Sequence, residues 1–85
     1  MEPYRVLVTI EILQLTRPPR RDRDRILRFL DDLARDPGRK GDYEERDNVG
    51  RPVQIKVIGK YALTYWTDHA VKEVKVTKIE FADRN

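Results

Sequence analysis

Hydrophobic residues near the start of the chain recur at every second position, which is the pattern of a β-strand. From Tyr4 to Ile12 these positions hold aromatic or β-branched side chains, and Arg5 and Glu11 lie between them. Side chains of a strand point alternately to its two faces. The pattern therefore predicts a strand over residues 4–13 with one buried face.

A different spacing follows, and it predicts an amphipathic helix over residues 19–35. Apolar residues recur there three or four positions apart, which places them in one stripe along a helix. The stripe consists of Ile26, Leu27, Leu30, Leu33 and Ala34. Residues 20–25 contain only arginine and aspartate, so this half of the helix is either solvated or faces a charged partner. Pro37 ends the helix, because proline cannot continue the hydrogen-bonding pattern.

From residue 39 onward the sequence predicts β-strands joined by turns. The predicted strands are 42–46, 53–58, 61–67 and 71–81, of which the first is short and polar as edge strands are. In the last strand Val74 and Val76 share one face, whereas Ile79 has the opposite parity. This change predicts a bulge near Thr77 and Lys78, or burial on both sides of the strand there.

The predicted elements form a single α+β domain over residues 1–85 in the order β-α-β-β-β-β. We expect one main helix, with or without a short helical turn before it, to pack on one face of a twisted antiparallel sheet. In the segment 53–58, Val53, Ile55 and Val57 alternate with polar residues and are expected to face the core. Lys56 should then lie on the opposite face.

Composition excludes several classes of chemistry. The 85 residues include no cysteine, no serine and a single histidine, which excludes disulfides, thiolate zinc sites, multi-histidine metal sites and serine or cysteine nucleophiles. We therefore expect no metal and no other cofactor. No apolar run is long enough to span a membrane and no signal peptide is recognisable, which predicts a soluble cytoplasmic protein without a membrane partner. The formal net charge of +3 permits nucleic-acid binding without requiring it.

Several short segments follow one another in the order and spacing of a known bacterial family. They are Tyr4-Arg5-Val6, Leu33-Ala34-Arg35-Asp36-Pro37, Gly50-Arg51, Val53-Gln54-Ile55-Lys56-Val57, Gly59-Lys60-Tyr61-Ala62-Leu63-Thr64-Tyr65 and Val74-Lys75-Val76-Thr77-Lys78-Ile79. With these segments the chain resembles the RelE/ParE toxin superfamily of type II toxin–antitoxin systems over essentially its whole length.

The resemblance implies a toxin-like function and a fold in which helices precede a curved sheet. Some members of the family cleave messenger RNA at the ribosome without a metal, others inhibit DNA gyrase, and an antitoxin typically wraps over the toxin. The implied partners are thus a cognate antitoxin and the ribosome with its messenger RNA, and the oligomeric state stays open. The chain departs from the family at Ala62, where arginine is common, and in its short tail, where Arg84 is the remaining basic residue. These departures favour the alternative of a non-catalytic protein-binding relative or a gyrase inhibitor.

Three cations of the predicted sheet are candidates for RNA cleavage. Attack by the 2′-hydroxyl without a metal needs a proton acceptor and fixed cations that balance charge on the transition state. Lys56 projects from a strand, and Arg51 and Lys60 lie just beyond its two ends, so all three are expected to line one surface. On this hypothesis Lys56 and Arg51 are catalytic and Lys60 binds phosphate. The alternative is that they are solvated charges on an exposed sheet face.

Two further residues have both a functional and a structural interpretation. His69 is a candidate general base, since histidine exchanges protons near neutral pH, and the alternative is a hydrogen-bonding turn residue. Trp66 shares its parity with Ala62 and Thr64, and on a basic face it could stack an unpaired base. The alternative is that Trp66 packs beneath the helix or a partner segment.

The densest basic feature is a run of arginines in the predicted helix and just before it. The run consists of Arg17, Arg20, Arg21, Arg23, Arg25 and Arg28. Arg21, Arg25 and Arg28 share a helix face, which predicts a surface that binds RNA phosphates. The alternative is an ordinary charged helix surface in which the interleaved aspartates pair with the arginines. These aspartates are Asp22, Asp24, Asp31 and Asp32.

Overall fold

The computed structural model describes residues 3–8 and 17–82, which form one α-helix and five β-strands. The helix α1 is Arg20–Arg35, and the strands are β1 (Arg5–Val8), β2 (Tyr43–Arg46), β3 (Pro52–Ile58), β4 (Tyr61–Asp68) and β5 (Glu73–Phe81). The predicted helix and the four predicted C-terminal strands are confirmed to within two residues at each end. Of the first predicted strand, residues 5–8 are confirmed, and residues 9–13 lie outside the described part. The question of a helical turn before α1 concerns residues 9–16, which also lie outside it.

The five strands form one mixed sheet in the order β1-β5-β4-β3-β2. Strands β2 to β5 are antiparallel to their neighbours, whereas β1 runs parallel to β5, with Val6 opposite Val74 and Val8 opposite Val76. The prediction of a wholly antiparallel sheet is therefore wrong at this edge. Short connections fix the directions of β2 to β5, but β1 reaches its neighbour only across the whole intervening chain, so no turn dictates its direction.

A β-bulge in β5 explains the change of parity along that strand. Thr64 pairs with Lys78 and the next residue of β4, Tyr65, pairs with Val76, so Thr77 is the inserted residue. The insertion brings the apolar residues on either side of it to the same face of the sheet. The bulge predicted near Thr77 and Lys78 is confirmed.

The main core lies between α1 and one face of the sheet, which we call the helix-covered face. Its fully enclosed side chains are Ile26 and Leu33 from α1, Leu63 and Tyr65 from β4, and Val74 from β5. Burial of one such aliphatic side chain contributes roughly 1.5–3 kcal/mol, so this layer supplies most of the hydrophobic stabilisation. The predicted helix stripe is thereby confirmed at Ile26 and Leu33, whereas Leu27 is exposed and Phe29 is buried.

The opposite face of the sheet, which we call the open face, has no helix or strand packed on it among the described residues. Val53, Ile55 and Ala62 nevertheless form a small buried cluster there, with Trp66 at its margin. The open face is thus the part of the sheet that is available to a partner.

The expected orientation of β3 is wrong. Register places Lys56 opposite Leu63, on the helix-covered face, and turns the apolar Val53 and Ile55 to the open face. The alternation itself is as predicted, but alternation does not say which face the helix covers. Lys56 is tolerated on the helix side because its stem can lie along the ring of Phe29, 5.8 Å from Nζ to the centroid, while the ammonium group reaches water.

Two side chains of β4 tie the end of α1 to the sheet. Tyr65 Oη donates a hydrogen bond to the carbonyl oxygen of Arg39 at 2.8 Å, and Thr67 Oγ1 donates to that of Pro37 at 2.6 Å. Burial raises the pKa of Tyr65 to about 12, although Arg39 nearby acts in the opposite direction. These bonds satisfy carbonyl groups after the helix and fix α1 relative to β4.

Candidate nucleic-acid interface

The helix α1 begins directly after two prolines, and none of the described side chains caps its first turn. Pro19 occupies the N-cap position with φ −55°, and its carbonyl accepts the Arg23 N–H at 2.8 Å. None of the side chains in ranges 3–8 and 17–82 accepts a hydrogen bond from the N–H groups of the first turn, so the described residues leave the positive end of the helix dipole uncompensated. Cations placed here experience repulsion from the helix itself.

Five exposed arginines nevertheless occupy the first nine positions of α1, and we call them the arginine surface. They are Arg20, Arg21, Arg23, Arg25 and Arg28. Ile26 is the first buried residue of the helix, so residues 20–25 contribute nothing to the core. The sequence of this segment therefore has to be explained by something other than packing.

None of the carboxylates in ranges 3–8 and 17–82 forms an ion pair with the arginine surface. Asp31 pairs with Arg35 at 3.2 Å and Asp32 with Arg39 at 3.5 Å, both further along the chain. The alternative in which the interleaved aspartates pair with these arginines is therefore wrong for this structure. The aspartates are present, but the pairs they form lie at the other end of the helix.

The net charge of the protein is concentrated in this segment. Residues 20–28 contain five arginines and two aspartates, a formal charge of +3, which equals that of the whole chain. The other positions hold thirteen of the eighteen basic and thirteen of the fifteen acidic residues, so they balance. A polyanion that approaches this protein is therefore attracted to one end of one helix.

The turn between β3 and β4 adds Lys60 to this neighbourhood. Gly59, with φ +60°, lies so close to α1 that a β-carbon on it would be 2.8 Å from Asp22 Oδ1 and 3.6 Å from Arg25 Nη1. Asp22 thus faces the turn rather than solvent, and exposed Lys60 follows directly. The structure thus places Arg25 beside the turn that contains Lys60, and both residues are predicted from the sequence to bind phosphate.

The cations selected for RNA cleavage do not share a surface. Arg51 lies on the open-face side, with its guanidinium 4.0 Å from the centroid of Trp66, whereas Lys56 is on the helix-covered face. Lys60 follows the far end of β3 from Arg51, roughly 20 Å away at the usual rise per residue of a strand. The expectation that all three line one surface is wrong, because consecutive odd and even positions of a strand point to opposite faces.

Lys56 belongs to a local network around Asp42. Asp42 Oδ2 accepts the Val57 N–H at 2.7 Å, and Oδ1 lies 3.4 Å from Lys56 Nζ. The Val57 hydrogen bond, helped by the charge of Lys56, holds the pKa of Asp42 below its ordinary value. In this structure Lys56 therefore has a structural partner, and a catalytic role for it stays a prediction.

His69, the remaining candidate for the cleavage hypothesis, lies elsewhere. His69 is an exposed residue after the end of β4, and its Nδ1 lies 2.9 Å from the hydroxyl of Tyr4. The hydrogen-bonding interpretation of His69 thus has a partner, whereas none of the cations Arg51, Lys56 and Lys60 contacts it. Arg84 lies outside the described residues.

Trp66 lies on the open face, so the interpretation that it packs beneath α1 is wrong. Its ring is flanked by two cations, Arg51 at 4.0 Å and Lys75 at 5.0 Å from the centroid. Both cations also have acidic partners, Asp47 at 3.6 Å and Asp68 at 3.3 Å. Lys75 was not among the candidates predicted from the sequence. Its position between the buried Val74 and Val76 nevertheless indicates that it lies on the opposite, open face.

A groove of about 920 Å³ runs along the open face beside this cluster. It is bordered by Arg51 on one side and by Lys78 of β5 on the other, with Ile55 and Ala62 in its floor. Lys78 in turn lies 3.7 Å from Glu80. Arg51, Lys75 and Lys78 of the open face thus have acidic partners, in contrast to the arginine surface.

Metal and membrane chemistry receive no support from the described part of the chain. Within residues 3–8 and 17–82, no group of three histidine, aspartate or glutamate side chains is arranged to hold a metal ion. No helix among these residues is long and apolar enough to cross a membrane.

Comparison with known proteins adds nothing to this geometry. No protein-family model, characterised protein or solved structure matches the chain. The RelE/ParE resemblance therefore stays a prediction from short sequence segments, and the functional argument depends on the residues themselves.

Proposed function

We propose that this chain is a toxin-like protein of the RelE/ParE type that acts by binding a nucleic acid, with the arginine surface of α1 on the phosphate backbone. The observation that carries this proposal is the absence of ion-pair partners for these five arginines within the described chain. Phosphates are suitable partners for several exposed guanidinium groups, because the planar group donates two parallel hydrogen bonds.

The energetics of the helix support the same conclusion. A cation in the first turn of a helix costs roughly 0.3–1 kcal/mol through the helix dipole, and like charges four residues apart add about 0.2–0.5 kcal/mol. Arg20 and Arg21 lie in the first turn, and Arg21 and Arg25 are four residues apart. Among the described residues these arginines form no ion pair in return, so an anionic partner is the compensation that we propose.

The test is the salt dependence of binding to labelled nucleic acids, measured by fluorescence anisotropy. Each phosphate neutralised contributes about −0.9 to the slope of log K against log salt for duplex DNA and about −0.7 for a single strand. We expect Arg21→Gln/Arg25→Gln/Arg28→Gln to reduce the slope by roughly 2 to 3 on whichever nucleic acid the wild type binds. Glutamine has nearly the helix propensity of arginine, so α1 should stay folded.

A matched control removes the same charge from cations that already have partners. Arg35→Gln/Arg39→Gln/Lys78→Gln leaves the arginine surface intact and breaks ion pairs of 3.2, 3.5 and 3.7 Å. Exposed pairs of this kind contribute little to stability. The control should keep the wild-type slope. An equal loss in both variants, or no binding by the wild type, would overturn the proposal.

Cleavage of the bound nucleic acid receives less support than binding. The dispersal of Arg51, Lys56 and His69 over three places argues for binding as the function. Expression of the chain alone, with Arg51→Ala and Lys56→Ala beside it, tests cleavage through growth arrest and message fragmentation. Fragmentation that disappears in both variants would establish cleavage, whereas fragmentation in neither the wild type nor the variants leaves binding as the activity. Only the RelE/ParE resemblance supports three parts of this proposal, which are action in the cytoplasm, an antitoxin partner and the ribosome as target.

The open face supports a second candidate, a protein-binding module. Its apolar floor at Ile55 and Ala62 and the cation-flanked Trp66 have no covering layer among the described residues. Such a floor with a polar rim is typical of a protein contact. The substitution Trp66→Ala should abolish binding of a partner protein on this face and leave nucleic-acid affinity unchanged.

A further inference from the structure

We infer that the nucleic acid bound by α1 is duplex DNA and that the N-terminal half of the helix enters its major groove. This inference rests on the proposed function and goes beyond it by naming the class of nucleic acid and the mode of docking. The inference depends on how the arginines are distributed around the helix axis. They lie on two sides of the helix and not along one side only.

The arginine surface divides into two flanks. With about 100° per residue, Arg20 and Arg23 lie roughly 120° and 60° to one side of the buried Ile26, and Arg21 and Arg25 lie roughly 140° and 100° to the other. The first flank therefore holds two arginines, and the second holds three, because Arg28 lies only about 20° from Arg21 around the helix axis. The two groups face away from each other. A helix that lies in a groove meets a phosphate wall on both sides, and this distribution provides cations for both walls.

The outer ridge between the flanks carries a different chemistry. Asp24 lies roughly 160° from Ile26, almost opposite the sheet, and Arg28 lies about 40° from it, at the border between the ridge and the flank of Arg21 and Arg25. A carboxylate at this position repels a phosphate strand that runs along the ridge. In a major groove the ridge faces base edges instead, where carboxylates accept hydrogen bonds from cytosine and arginine donates to guanine.

Dimensions favour B-form DNA over RNA. A helix with its side chains is about 10–12 Å across, and the major groove of B-DNA is about 12 Å wide. The major groove of A-form RNA is deep and too narrow for side chains to read. Residues 20–25, with no buried side chain, provide about 9 Å of helix that can enter a groove without unpacking the core.

The β3–β4 turn lies on one side of this helix segment and extends the contact. Gly59 approaches Asp22 and Arg25, so Lys60 lies next to the flank formed by Arg21 and Arg25. In the docked arrangement Lys60 contacts the backbone on that side, beyond the reach of α1. The flank of Arg20 and Arg23 has no such addition among the described residues.

The experiment compares the two flanks on two probes, a 16-base-pair duplex DNA and a 16-nucleotide single-stranded RNA of mixed sequence. One double variant is Arg20→Gln/Arg23→Gln and the other is Arg21→Gln/Arg25→Gln. The control, Arg35→Gln/Arg39→Gln, removes two cations that have aspartate partners. Binding is measured by anisotropy from 50 to 200 mM salt, and circular dichroism checks that α1 is retained.

We expect the wild type to prefer the duplex and each flank variant to lower the duplex slope by about 2, with no change in the control. The loss of affinity caused by each flank variant should therefore be roughly tenfold larger at 50 mM salt than at 200 mM salt. A duplex slope that depends on only one flank would contradict groove insertion. Arginine-dependent binding of the RNA without preference for the duplex would overturn this inference and leave the proposed function standing. No arginine-dependent binding to either probe would overturn both.

Discussion

The substitution Arg21→Glu should make the protein more stable and at the same time weaken its binding to nucleic acid. Arg21 is exposed in the first turn of α1 and has no ion-pair partner among the described residues. Charge reversal removes a repulsion from the helix dipole and replaces it with an attraction. It also replaces the Arg21–Arg25 repulsion with a Glu–Arg pair in the favourable orientation, while the attraction between Arg21 and Asp24, three residues apart, becomes a repulsion.

The magnitude follows from the helix dipole, because the two side-chain changes have opposite signs. Reversal at the dipole is worth roughly 0.6–2 kcal/mol, twice the value for a single charge, and the changes toward Arg25 and Asp24, each about 0.4–1 kcal/mol, offset one another. Because the site is exposed, we take the lower part of this range and expect the free energy of unfolding to rise by about 1 kcal/mol. For a domain of this size the midpoint of thermal unfolding should rise by roughly 4–8 °C.

Urea unfolding at 25 °C in 50 mM salt measures this change, and Arg35→Glu is the matched control. Arg35 lies in the last turn, where a cation is favourable, and pairs with Asp31 at 3.2 Å. Its reversal should lower the free energy of unfolding by about 1 kcal/mol. In 1 M salt both effects should shrink, since the screening length falls to about 3 Å. If Arg21→Glu destabilises the protein, Arg21 makes a stabilising contact within the fold, and an anionic partner is not needed to explain it.

Three further predictions concern the core and two titrating groups. Leu33→Ala removes a fully buried side chain and should lower the free energy of unfolding by about 2–5 kcal/mol in urea. Tyr65→Phe leaves the Arg39 carbonyl without its donor and should cost about 1 kcal/mol at pH 7. Because the Tyr65 pKa is raised to about 12, the wild type should also lose stability from pH 10 to 12, and the phenylalanine variant should lose less. The lowered pKa of Asp42 stabilises the fold above its ordinary value of 3.8, so the advantage of the wild type over Asp42→Asn should disappear as pH falls below that value.

Local patterns in the sequence predict the elements well, because each pattern is set by neighbours along the chain. The spacing of Ile26, Leu30 and Leu33 requires a helix, and the parity change after Val76 requires the bulge at Thr77. Both are consequences of the number of residues per turn or per pleat. No information from distant parts of the chain is needed for either.

The arrangement of these elements depends on contacts that the sequence does not encode locally. Nothing near Val6 or Val8 indicates that β1 runs parallel to β5, since no turn connects the two strands. The helix-covered face of β3 is likewise set by where α1 lies, and this reversed the expected position of Lys56. The predicted cleavage site depended on that position, which is why its cations are dispersed.

The arginine surface was selected from sequence, but its lack of partners was not predictable. The alternation of arginine and aspartate in residues 20–25 is compatible with a self-neutralising helix. The pairs actually formed by Asp31 and Asp32 depend on Arg35 and Arg39 at the helix end, and Asp22 turns toward Gly59. These contacts belong to the tertiary structure. Because of them, the arginines of residues 20–28 have no ion-pair partner among the described residues and form a candidate interface.

The central claim is that the arginine surface, rather than the open face, contacts the nucleic acid, and NMR titration with duplex DNA tests it most directly. The Nε–Hε signals of arginines give one probe for the helix, and the indole N–H of Trp66 gives one for the open face. The account predicts that signals of Arg21, Arg25 and Arg28 shift on addition of DNA while those of Trp66 and Arg51 do not. Shifts confined to Trp66 and Arg51, with the helix arginines unchanged, would contradict it.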